Sequence, residues 1–286
     1  MNLNQRMKGL SLKVGPLGEN DRLLTILSEE SGISRLAIPG ARKPKSRLGA
    51  TSPFNLLDLH IVGKKDLKKV TQIKIIKSYG NLGKNIETLS AAQAISELIL
   101  IMVGNEDPQK DLLKLVLMHL NRLNELHKTE FDSLEALAIS VQSCIHLLAL
   151  GGYCLPLQNC CHSGSKLIPP IGEWSWKCSF IPEEGFAIGT IPNASAELNP
   201  SELALLQRLL LEKVPFHSNG KLLGPKQVWL KLLKIVETWI ETHLQRRITS
   251  LQMMREVIIS NDLNTCLLYT SPSPRDRTRS RMPSSA

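Results

Sequence analysis

Soft metal ligands crowd one stretch of this 286-residue chain. The segment GGYCLPLQNCCHSGSKL, Gly151 to Leu167, carries Cys154, Cys160, Cys161 and His162, and Cys178 follows. Thiolates and imidazole are the donors a tetrahedral zinc site uses, and three cysteines with one histidine is an accepted set. The same thiols can instead form a disulfide or pack as small buried side chains. Adjacent cysteines rarely both ligate one ion, and the spacing here matches no recognised zinc pattern. The expectation is therefore no metal and no other cofactor, with zinc or a disulfide as the alternatives.

A second set of residues suits a polyanion. Arg42, Lys43, Lys45 and Arg47 put four cations within six residues. Lys64, Lys65, Lys68 and Lys69 make another cluster, and Arg22 opens a strand-like segment. Such side chains neutralise phosphates and release counterions without reading sequence. These nine are the candidate DNA-binding residues. The aromatics that would stack on bases are scarce, since residues 1–80 hold only Phe54 and Tyr79. Binding should then be dominated by the phosphate backbone and sensitive to salt.

Motifs for bond-making chemistry are missing. There is no GxxxxGK[ST] phosphate loop, no GxSxG elbow, no HExxH and no GxGxxG after a strand. Glu19 and Asp21 are neighbours in PLGENDRL, but two carboxylates in a turn do not make an acid–base pair. We expect no enzymatic activity and no catalytic residue.

The charge pattern separates the chain into parts. Residues 1–80 contain fifteen Lys/Arg and six Asp/Glu, whereas 81–265 contain sixteen and nineteen, so a basic module precedes a mildly acidic body. That asymmetry points to a polyanionic partner for the first part. The most apolar run, AISELILIMVG from Ala94 to Gly104, falls short of a membrane span. The N-terminus lacks the apolar stretch and cleavage site of a secretion signal, so a cytoplasmic protein is expected.

The basic module reads as five short strands, KGLSLKVGPLG, DRLLTILSEESG, ISRLAIPGARKP, NLLDLHIVGKK and DLKKVTQIKIIKS, with Gly and Pro at the joints. Five strands in so few residues suit a small barrel of the OB type over 1–80. From Asn85 the apolar period becomes helical. Helix starts are marked by Asp107–Pro108, by Asp132 with Glu135, and by Asn199–Pro200 with Glu202. The segment from Pro225 reads as one long helix or a broken pair. The fold class is α+β, an OB-type β-barrel followed by a helical bundle over 81–265 with a cysteine-bearing insertion at about 151–198. On the helix VQSCIHLLAL, Cys144 reads as a small buried side chain and His146 as an ordinary helix-face residue.

In two places the chain is specific enough to suggest a family. GLSLKVGPLGENDRLLTILSEESG followed by GARKPKSRLGA resembles the N-terminal signature of the bacterial RecO recombination mediators. The order of basic barrel, helical body and late cysteine-bearing insertion is also similar. The resemblance runs over most of 8–260. It implies a non-enzymatic DNA-repair protein that binds single- and double-stranded DNA and anneals complementary strands. It also implies association with RecR and with the tail of single-strand-binding protein, so that RecA is loaded indirectly. The alternative is a generic nucleic-acid-binding or helical interaction module without mediator activity.

The resemblance also implies four zinc-binding cysteines in the insertion, two as C-x-x-C near a glycine and two after a Gly-Gly turn. Here Cys160 stands at the first position, with Ser163 at the second, ahead of Gly164. Ile188 and Ile191 fall where the later pair belongs, after Gly185. A hydroxyl and two isoleucines cannot complete a tetrahedral thiolate site, so the insertion is zinc-finger-like but degenerate. Trp174 and Trp176, which share a face if this stretch is a strand, are expected to supply a replacement apolar core. The last residues, CLLYTSPSPRDRTRSRMPSSA from Cys266 to Ala286, resemble translated sequencing adapter and are expected to lie outside the native fold.

Overall fold

A computed structural model describes residues 4–43, 46, 51–63, 67–104, 108, 110–128 and 131–270, with side chains described except at 4, 110 and 261–270. Five strands come first: β1 (Asn4–Leu17), β2 (Asp21–Ser28), β3 (Gly32–Ile38), β4 (Asn55–Val62) and β5 (Lys68–Ser78). They close in the order β1-β2-β3-β5-β4, antiparallel throughout except where β3 meets β5 in parallel. The five-stranded barrel expected from the sequence is the barrel observed.

Period-two patterning explains why it closes. Met7, Leu24, Ile26, Leu36, Ile38, Leu57, Leu59, Ile61 and Val70 point inward and form a core of their own. Leu10, Leu12, Leu27 and Ile33 leave the barrel on its other face and join the core of the helical body. Past the bulge between Ser11 and Lys13 the facing of β1 reverses, so that Val14 turns back toward the barrel core. Gly9 sits where two backbones come close. A Cβ there would meet the Leu27 carbonyl oxygen at 2.4 Å and Ile26 Cγ1 at 2.8 Å. Gly9→Ala should therefore overpack the barrel and cost about 1–3 kcal/mol in urea unfolding. An unchanged midpoint would show that β1 can retreat from β2.

The body contains α1 (Ile86–Met102), α2 (Lys110–Glu125), α3 (Ser133–Leu150), α4 (Pro200–Arg208), α5 (Lys226–Leu244) and α6 (Thr249–Thr270). The central member is α3, packed by α1, α2, α5 and α6. It is long and apolar enough to cross a membrane by composition, but most of it is buried among those neighbours.

Capping follows the sequence signals. Asp132 accepts the Leu134 amide at 2.8 Å. At α4, Asn199 and Glu202 form a full capping box, each side chain accepting the other's backbone N–H at 2.9 Å. Asp107 lies outside the described residues. The last helical segment is a broken pair, because Gln245 takes a left-handed conformation (φ 52°) between α5 and α6. The helix of α6 runs to Thr270, into the segment read as adapter; the rest of that segment is outside the described residues.

Between α3 and α4 lies the insertion. It holds β6 (Cys178–Ile181), β7 (Gly185–Ile188) and β8 (Ala196–Leu198), in the order β7-β6-β8. Its apolar core differs from the one expected. Trp174 is 71% exposed and lies in a turn, not a strand. Trp176 only packs at the margin. Leu155, Leu157, Leu167, Phe180 and Phe186 fill the interior instead, and Trp239 of α5 closes it against Phe180. Long-range packing onto α5 supplies what a local tryptophan pair was expected to provide.

Candidate nucleic-acid interface

The described candidates, Arg22, Arg42, Lys43, Lys68 and Lys69, converge on one end of the barrel because of strand order. Arg22 is the second residue of β2 and pairs with Ile38 at the end of β3. Parallel pairing places Lys68 and Lys69 of β5 opposite Leu36 and Ala37 in β3. The β3–β4 connection is folded back onto the β1–β2 turn, since the Arg42 amide donates to Asn20 O at 2.9 Å and Gly40 N–H to Asp21 Oδ1 at 2.7 Å. The described members of two clusters that are far apart in the sequence thus meet around the end of β3.

Their side chains are not equivalent. Arg22 is half-buried and donates to Thr51 O at 3.1 Å, holding down the return of the long connection. Arg42 is exposed but donates to Gly18 O at 3.0 Å, so part of its fork fastens two loops. Lys43 and Lys69 are exposed. Lys68 is half-buried, with Nζ 3.4 Å from Gln5 Oε1. Lys45, Arg47, Lys64 and Lys65 lie outside the described residues.

Two further cations were not singled out from the sequence. Lys13, Thr25 and Arg35 are in register across β1, β2 and β3, and both cations are exposed on the outer surface. Register across three strands produces this row. The only sequence signal was a charge alternating with apolar residues in ISRLAI. On the opposite surface, Arg6 and Lys8 of β1 and Lys74 of β5 surround Asp58 of β4. The Arg6 side chain bonds Asp58 and holds its carboxyl below the usual range, so that arginine's charge is internally matched.

Among the described residues the barrel offers no aromatic platform. Phe54 and Tyr79 are both buried in the seam between barrel and body. A basic rim without stacking rings can neutralise phosphates but cannot clamp bases.

The four positions implied for zinc do not fit the metal. Cys160 is buried and its sulfur already accepts the backbone N–H of Ser163 at 3.4 Å and of Ile188 at 3.3 Å. Burial pushes the Cys160 thiol up, yet the hydrogen bonds from Ser163, Ile188 and His162 outweigh it and bring it to about 7. At the second turn Ser179 Oγ accepts the Ile191 N–H at 2.9 Å and donates to Gly189 O at 2.8 Å. Protein atoms therefore satisfy amides that a thiolate–metal centre would otherwise hold. Cys178 is fully buried on β6, and burial pushes its thiol up to about 12. Cys154 is exposed and makes only a local contact to Leu155 O.

His146 is more than a helix-face residue. Its Nδ1 lies 3.1 Å from Nε2 of the fully buried His119, and its own Nε2 lies 2.8 Å from Leu209 O. The carbonyl can only accept, so His146 donates through Nε2 and accepts the His119 Nε2–H at Nδ1. The pair ties α2 to α3 and to the chain leaving α4.

Known proteins resemble this chain along nearly its whole length. Residues 1–79 match the family model described as Recombination protein O N terminal, and 83–252 match Recombination protein O C terminal. The DNA repair protein RecO of Prochlorococcus marinus (strain MIT 9303) is 54% identical over 262 residues, 91% of this chain and 98% of that protein. The DNA repair protein RecO of Synechococcus sp. (strain WH7803) is 51% identical over 265 residues, with 92% and 98% covered. That of Nostoc sp. (strain PCC 7120 / SAG 25.82 / UTEX 2576) is 30% identical at 91% and 98% coverage. With coverage this complete, the likeness is not confined to the barrel.

Proposed function

The chain belongs to the RecO family, and on that premise we propose that it is a non-catalytic mediator that holds DNA by its phosphates and lets complementary strands anneal. Family membership supports a role in DNA repair and recombination. In the finer reading it binds single- and double-stranded DNA, works with RecR, and meets single-strand-binding protein so that RecA can be loaded. The observation that carries this reading is the basic rim around the end of β3, beside a barrel surface without stacking aromatics. Bases left unclamped stay available for pairing.

The tail of single-strand-binding protein, acidic and apolar at its end, needs a greasy groove near a cation. A groove of about 660 Å³ in the body, lined by Ile171, Trp174, Leu205, Leu223, Val228 and Arg208, has that character. It supports tail docking on the body while the barrel holds DNA.

Neutralising about five phosphates on a single strand predicts a log–log salt slope of about −3.5. Oligonucleotide binding measured between about 50 and 200 mM salt should show it. A curve flat over that range would sink the phosphate-grip reading.

A further inference from the structure

We propose that Cys161, His162 and Glu184 form a binding site for one borderline divalent cation, zinc or a metal of similar preference, beside the four degenerate knuckle positions and sharing no residue with them. One ligand atom from each of the three residues lies within 4.8 Å of the others. His162 Nε2 is already 3.2 Å from Glu184 Oε2. Metal–donor lengths of about 2.0–2.3 Å put the donors of a tetrahedral site roughly 3.3–3.7 Å apart. Closing the gap asks for about 1 Å of movement by exposed side chains.

The backbones beneath those side chains are held. Cys161 N–H donates to Phe186 O at 2.9 Å, which ties the cysteine loop to β7. Glu184 sits in the turn from β6 to β7, its N–H donating to Ile181 O at 3.1 Å. Sulfur, imidazole and carboxylate together match zinc's borderline preference better than that of calcium or magnesium, which take oxygen. Three protein donors leave a fourth position for water. On binding, the Cys161 thiol releases its proton to solvent and its sulfur bonds the cation, so no oxidant is involved. Cys160, whose buried sulfur accepts the Ser163 and Ile188 N–H groups, is not among the donors that converge there.

The competing explanation is a surface His–Glu ion pair beside an unrelated thiol. Titrating the full chain with Co²⁺ separates the two, because a thiolate ligand gives a sulfur-to-cobalt charge-transfer band. One Co²⁺ per chain with that band, displaced by Zn²⁺, is expected. Cys161→Ser should abolish the band, and His162→Ala and Glu184→Gln should each weaken Co²⁺ binding more than about tenfold. Cys154→Ser should leave both unchanged. Far-UV circular dichroism and the melting transition of Cys161→Ser check that the fold is retained, which the exposure of Cys161 leads us to expect. Absence of the band at stoichiometric Co²⁺, or its survival in Cys161→Ser, overturns the site.

Discussion

Replacing Lys13, Arg35, Lys43 and Lys69 together by alanine is expected to weaken single-stranded DNA binding several-hundred-fold at about 0.1 M salt. Each phosphate neutralised on a single strand contributes about 0.7 to the log–log slope, hence roughly fivefold in affinity at that salt. Four contacts multiply to about 600-fold, and the slope should flatten by about 2.8. These four are chosen because each is exposed and none of their side chains makes a described internal bond. Removing Arg42 or Arg22 would confuse affinity with stability, since both fasten loops to backbone carbonyls. Filter or fluorescence binding with melting curves as control makes the measurement. Affinity within about threefold of the parent would mean that the grip lies elsewhere.

Acid should unfold the body through its buried histidine pair. Burial first, then the neighbouring His146 and Arg122, lower His119 to about 3. His146 is lowered as well, chiefly by burial. In the unfolded chain both return to about 6.5. The folded state thus binds fewer protons than the unfolded state between about 6.5 and 3. Stability is complete above about 6.5 and falls with decreasing pH, at close to 1.4 kcal/mol per unit for His119 alone. Near pH 5 that loss is about 2 kcal/mol, with His146 adding to it. His119→Gln removes one titration, so its unfolding free energy should fall less steeply between about pH 7 and 5. Parallel urea series at the two pH values test this. Equal slopes for parent and variant would show that His119 is not the acid-sensitive group.

Much of the architecture could be read in the residues because it is local. Alternation in NLLDLHIV and helical spacing in SLEALAISVQSCIHLLAL each declare an element, and Asn199 with Glu202 marks a helix start. Non-local matters escaped. His146 looked ordinary until α2 brought His119 to it, and Trp174 was expected inside until Trp239 took the place. Glu184 was never weighed as a metal ligand, because only the turn from β6 to β7 carries it to His162.

The sequence alone determined the basic barrel, the helical body, the want of stacking rings and the failed thiolate pattern, because residue type and short-range period carry those. Which cations share a surface was decided only in three dimensions. Lys69 reaches the end of β3 by a parallel pairing that closes the barrel, and Lys13 aligns with Arg35 through β2. Register and closure depend on the packing of whole strands against one another, and no single stretch of the chain contains that information.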